Sequence, residues 1–75
     1  MQKLVYITEI EKGNKREIQF SDFQTNIRKT EKDVQFALLL NSVIRVIKRK
    51  ELLQGYTTAL VVVNAEKFNK AIKVR

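Results

Sequence analysis

Cysteine, histidine, tryptophan and proline are absent from this 75-residue chain, and Gly13 and Gly55 are its only glycines. Each absence removes a class of chemistry. Without cysteine there is no disulfide and no thiolate nucleophile. Without cysteine or histidine there is no zinc centre of the usual nitrogen and sulfur type, no haem attachment, and no His-centred triad or proton shuttle. Two isolated glycines cannot build a phosphate-cradling loop of the G-x-x-x-x-G-K-[S/T] or G-x-G-x-x-G kind, nor a G-x-S-x-G nucleophile elbow. Asp22 and Asp33 are the only aspartates. Glu9 and Glu11 can share a strand face, but beside Lys12, Lys15 and Arg16 they read as ion-pair partners. A carboxylate pair that hydrolyses a substrate also needs a concave site, for which so short a chain has little room. No enzyme, metal or cofactor is expected.

Long apolar runs are missing too. None is longer than Ala59–Val63, far short of the ~18–20 residues of a membrane-spanning helix. Near the N-terminus only Lys3 precedes a stretch that Thr8 and Glu9 interrupt, so no signal peptide is expected and the cytoplasm is the expected location.

Hydrophobic residues make up 44% of the chain and charged residues 31%, the balance of a folded globule rather than a disordered segment. The length allows one domain, residues 1–75. A chain of this size buries only about 60% of the surface its unfolded form exposes, so it needs a dense core or a partner subunit, and a homodimer is expected.

Residues 3–11 are rich in β-branched and aromatic types, Gly13-Asn14 follows, and residues 16–20 alternate with period two. This is a β-hairpin pattern. A two-residue turn sets Glu11 opposite Arg16 and Ile7 opposite Phe20, placing Val5, Ile7, Ile18 and Phe20 on one face. A three-residue loop flips the first strand and opposes Glu9 to Glu17. The first register pairs opposite charges and is preferred. Ser21-Asp22-Phe23-Gln24 fits a capping box, so a short helical turn is expected there. Thr30 to Asp33 offers a second helix start, and residues 31–53 read as one long helix with Phe36, Leu39, Leu40, Val43, Ile44, Val46 and Ile47 in a single apolar arc. Val34 and Leu38 fall outside that arc; the segment from Phe23 to Ile27 is expected to cover them, with a dimer contact as the alternative. Gly55 is the expected helix stop. Tyr56 to Val63 reads as a central strand, and Asn64 as the cap of a last helix from Ala65 to about Val74 with Phe68, Ala71 and Ile72 inward. The expected fold is a small two-layer α+β sandwich of order ββααβα.

The net charge is +7. Residues 1–33 carry seven basic and six acidic residues, whereas residues 34–75 carry eight basic and two acidic. Arg45, Lys48 and Arg49 share one face of the expected long helix, and Lys67, Lys70 and Lys73 step by three along the last one. Like charges at such spacing repel, and an anionic partner relieves the repulsion. Nucleic-acid phosphates do so strongly through counterion release. The expected function is therefore a non-enzymatic nucleic-acid-binding accessory or regulatory role for a basic helical face of Arg45, Lys48, Arg49, Lys67, Lys70 and Lys73. The alternative is a protein-interaction module, an inhibitor or adaptor docking on an acidic partner through exposed Val34 and Leu38 or an unpaired hairpin edge. Tyr6 and Tyr56 are the aromatics expected to be exposed, outside any RNP-like pattern. A helix-turn-helix is disfavoured, because the N-terminal residues of the expected second helix include the acids Glu31 and Asp33. In composition alone, short and basic without cysteine, histidine or proline, the chain resembles small accessory proteins of phages, plasmids and archaeal viruses.

Overall fold

The computed structural model describes residues 1–73. Val74, the expected end of the last helix, and the cation Arg75 lie outside the described residues. Five strands and two helices follow in the order β1 (Gln2–Lys12), β2 (Lys15–Ser21), β3 (Asn26–Thr30), α1 (Val34–Asn41), β4 (Val43–Leu53), β5 (Tyr56–Asn64) and α2 (Ala65–Lys73). All strand pairs are antiparallel, and the sheet order is β3-β2-β1-β5-β4. The element order is thus βββαββα, and the expected ββααβα order with a long helix is overturned.

The first hairpin forms in the preferred register, with Glu11 opposite Arg16 and Ile7 opposite Phe20. Gly13 has φ 57° while Asn14 stays at negative φ, the pattern of a II′ turn, which needs glycine at its first central position. Strict alternation then sends Val5, Ile7, Ile18 and Phe20 to one face, where all four are buried. The helices cover that face. Leu39, Phe68 and Ala71 are buried with Val61 and Val63, and the Phe20 and Phe68 rings lie 5.9 Å apart at 49°. Asn64 caps α2 as expected, its Oδ1 accepting from Lys67 N at 3.0 Å. Gln35 Nε2 donates to Ala71 O at 3.1 Å and ties α1 to α2.

Residues 21–27 make no helical turn. Asp22 Oδ1 accepts from Gln24 N and Thr25 N at 2.8 and 2.7 Å, and Asp22 N donates to Thr25 O, closing the loop between β2 and β3. A short side-chain acceptor ahead of free N–H groups serves a turn as well as a helix start. Ile27 lies in β3, so nothing from this segment covers Val34 and Leu38, and both remain exposed.

The expected long helix stops at Asn41. The chain then leaves as β4, an eleven-residue edge strand paired only with β5. Val43, Ile44, Val46 and Ile47 are β-branched and favour a strand over a helix. The register against β5 shifts between Val43 and Arg45, between Val46 and Lys48, and between Glu51 and Leu53. Each shift sets two residues of β4 against one of β5, a β-bulge. Bulges at this interval turn the two-residue period of a strand into steps of three. Val43, Val46 and Arg49 therefore repeat like positions on a helix while facing one side of a sheet. Gly55 ends no helix. At φ 78° it closes the turn between β4 and β5, its O accepting from Glu11 N at 2.8 Å.

Candidate functional site

The helices leave the second face of the sheet bare, and the registers define what stands on it. Lys48, Leu60, Tyr6 and Ser21 form one row across four strands. Arg45, Val62 and Leu4 form the row on one side of it. Lys50, Thr58, Thr8, Gln19 and Arg28 form the row on the other. Beyond these, Tyr56 stands opposite Ile10, Ile10 opposite Glu17, and Lys12 opposite Lys15 at the hairpin end. Rows two residues apart along a strand are separated by about 7 Å, and neighbouring strands by about 4.8 Å.

This face is cationic. Arg45, Lys48, Lys50, Lys12, Lys15 and Arg28 project from its strands against a single carboxylate, Glu17. Among the described residues none of these six cations has a carboxylate within ion-pair distance; the ion pairs belong to Lys3, Arg16 and Arg49. Those three stand on the helix-covered side. Arg16 Nη2 donates to Glu9 Oε2 at 2.9 Å, and Arg49 Nη2 lies 3.7 Å from Glu9 Oε1. The bond to Glu9 raises the Arg16 pKa further, so its charge is permanent.

Two depressions adjoin on the open face, and Tyr6 with Leu60 forms the ridge between them. One, about 240 Å³, has Lys48, Lys50, Thr58 and Ala59 as its other walls. The other, about 450 Å³, runs from the ridge to Leu4, Ser21, Asp22 and Phe23. Tyr6 is 56% exposed, and Phe23 is fully exposed in the loop after β2. Asp22 stands at the edge of the larger hollow. Burial alone would raise its carboxyl. The 3.0 Å bond from Lys3 Nζ and the N–H groups of Gln24 and Thr25 outweigh that, so its pKa is lowered and it stays a carboxylate.

The six cations expected on one helical face are divided. Arg45 and Lys48 reach the open side of β4, where Lys50 joins them. Arg49, between them in sequence, points to the helix-covered side and binds Glu9. Lys67, Lys70 and Lys73 are exposed on α2, which packs on α1 and β5 in the layer across the sheet. Among the described residues there is no basic helical face that includes β4. Lys12, Lys15, Arg28 and Lys50 are not among the expected site residues, and the sequence favours Tyr6 as an amphipathic tyrosine at a core edge over a stacking platform. Alternation along the first hairpin was the signal that groups Lys12, Lys15 and Tyr6; for Lys50 the bulges hid it.

Fold and site together define a small antiparallel α+β domain with one helix-covered sheet face and one open, cationic face. No family model, curated protein or solved structure matches the chain. Among the described residues no group of His, Cys, Asp or Glu is placed to hold a metal ion, and no helix is long and apolar enough to cross a membrane.

Proposed function

We propose that this protein is a non-enzymatic nucleic-acid-binding protein whose contact surface is the open sheet face, with Arg45, Lys48 and Lys50 on β4 as its main phosphate contacts. One observation carries the reading: among the described residues the cations on that face lack carboxylate partners, whereas Arg16 and Arg49 on the covered side share Glu9. Unpaired cations gathered on one surface gain most from an anionic polymer, because each phosphate contact releases condensed counterions. Lys12, Lys15 and Arg28 extend the field across the face. Lys67, Lys70 and Lys73 belong to a separate surface and contribute only long-range attraction.

The test is fluorescence anisotropy with labelled DNA and RNA oligonucleotides at two salt concentrations. Replacing Arg45, Lys48 and Lys50 together with Ala is expected to weaken binding strongly. It should also flatten the salt slope by about 2 to 3, because each neutralised phosphate contributes about 0.7–0.9. The triple Ala variant at Lys67, Lys70 and Lys73 is expected to bind nearly as the parent does. The reverse ranking overturns the assignment of the site, and no binding to any oligonucleotide at ~50 mM salt overturns the function.

A second reading is favoured by a different surface. Val34, Leu38 and Val46 are exposed apolar residues of α1 and β4, near a groove of about 310 Å³ between Leu40, Val43, Val46 and the Glu9–Arg49 pair. This side suits a protein partner, a second copy of the chain included. Light scattering across a concentration series checks self-association.

A further inference from the structure

The open face sorts its chemistry by position. The Tyr6–Leu60 ridge has lysines on one side and an apolar hollow on the other, and both depressions are shaped by the same two side chains. A duplex offers phosphates to such a face but keeps the faces of its bases stacked inside. Reading a duplex by its bases needs an element that enters a groove. Here both helices lie against the opposite face, so neither is placed to enter a groove from the open side. A single strand presents phosphates along one edge and unstacked planar bases along the other.

We infer, building on the nucleic-acid reading above, that the ligand is a single-stranded nucleic acid whose backbone runs along Arg45, Lys48 and Lys50 while its bases lie over Tyr6 and enter the hollow beside Leu4 and Phe23. The rows carrying the three cations follow β4 at intervals of about 7 Å, comparable with the separation of successive phosphates in an extended strand. Tyr6 lies two strands from Lys48 in the same row, about 10 Å between backbones at the usual strand spacing. That distance suits a nucleotide with its phosphate at one end and its base at the other. The Tyr6 ring supplies a stacking surface at small entropic cost, since few of its torsions must be fixed. Asp22 at the edge of the hollow is already paired with Lys3, and among the described residues no cation lines the hollow, which therefore suits an uncharged base rather than a phosphate.

The test compares a short single strand, the same strand with abasic sites throughout, and the corresponding duplex, each as DNA and as RNA. The parent protein is set against Tyr6→Phe and Tyr6→Val. Valine keeps the preference for a strand and removes the ring, and a thermal melt of each variant establishes that it is folded. Tyr6→Val is expected to weaken binding to the base-bearing single strand by about fivefold to a hundredfold, the range for removal of one stack. Its salt slope should be unchanged, Tyr6→Phe should bind like the parent, and the abasic strand should ignore the substitution. With no tryptophan in the chain, emission comes from Tyr6 and Tyr56, and a single strand should quench the part that Tyr6→Val removes. Equal affinity of parent and Tyr6→Val for the base-bearing strand overturns the inference, as does abasic binding as tight as base-bearing binding. In either case a steep salt dependence would leave the phosphate-binding function standing. Absence of all oligonucleotide binding, with capture by anionic lipid vesicles instead, overturns both. The DNA and RNA arms name the source of the strand.

Discussion

The two faces of the sheet share strands and backbone but solve opposite problems. On the covered face the side chains of Val5, Ile7, Ile18 and Phe20 meet Phe68 and Leu39, and three of the cations there are paired. Glu9 holds Arg16 and Arg49, while Lys3 lies 3.0 Å from Asp22 and 4.4 Å from the centre of the Phe68 ring. On the open face an apolar centre of Leu4, Tyr6 and Leu60 stands half bare among cations with no partner. The covered face has the composition of a finished interior. The open face has an apolar centre ringed by cations, which the proposed anionic ligand would complete. Total charge alone does not separate these cases; the carboxylates of Glu9 and Asp22, which answer cations of the covered side, do.

The largest expected effect comes from cutting into the covered face. Phe20→Ala removes a fully buried ring and should cost about 3–5 kcal/mol, a large share of the stability of so small a domain, read as a fall in denaturant midpoint. Tyr6→Val, one row away on the other face, should cost under about 1 kcal/mol, the span of strand preferences. Comparable costs for the two variants would break the distinction between the faces.

A smaller effect is expected at the turn between β4 and β5. Gly55→Ala forces a side chain into a left-handed conformation, and the new Cβ would sit 2.9 Å from Glu11 O. A destabilisation of about 1–2 kcal/mol from backbone strain, with the close approach adding to it, is expected in thermal melts. The contrasting control is Gly13→Ala, which meets nothing within 4 Å and carries only the cost of its φ.

The smallest sharpens the contrast in pairing. The Asp22 carboxyl titrates lower in the folded chain than in the unfolded one. The unfolded state therefore binds more protons in that range, and stability rises with pH there. The Asp22 contribution is present above the ordinary carboxylate range and is lost as pH falls through the lowered folded value. Asp22→Asn should cost about 1 kcal/mol at neutral pH and flatten the acid limb of the stability curve, measured by urea unfolding across pH.

The legible parts of the fold are those where one residue type answers to one conformation. Alternation from Val5 to Phe20 about Gly13 fixes a register, because a slip of one residue would put every apolar side chain in water. The run Leu60 to Val63 is too apolar for anything but a central strand, and Asn64 has N–H groups ahead of it to cap. The misread parts are those where one pattern serves two structures. Asp22 would serve a helix start and a hairpin turn alike, and Gly55 a helix end or a turn. Val43, Val46 and Arg49 recur at a helical interval because bulges lengthen the step of a strand. The candidate site suffered from the same ambiguity. Its cations were visible, but which of them stand together depends on where the bulges fall.

The bulges of β4 also give that strand slack, so that a change in chain length has a different meaning there from elsewhere in the sheet. Val46 pairs with Val61 and Lys48 with Leu60, and Ile47 is the surplus residue between them. Deleting Ile47 would leave both pairs in place as simple neighbours, with Lys48 and Lys50 still on the open side. The same deletion at Thr8 in β1, whose pairing runs without a shift on both flanks, would invert every side chain on one side of the gap. One missing codon is thus absorbed at the edge of the sheet and ruinous at its centre. At a bulge the edge strand can lose its surplus residue while the surface it presents stays the same.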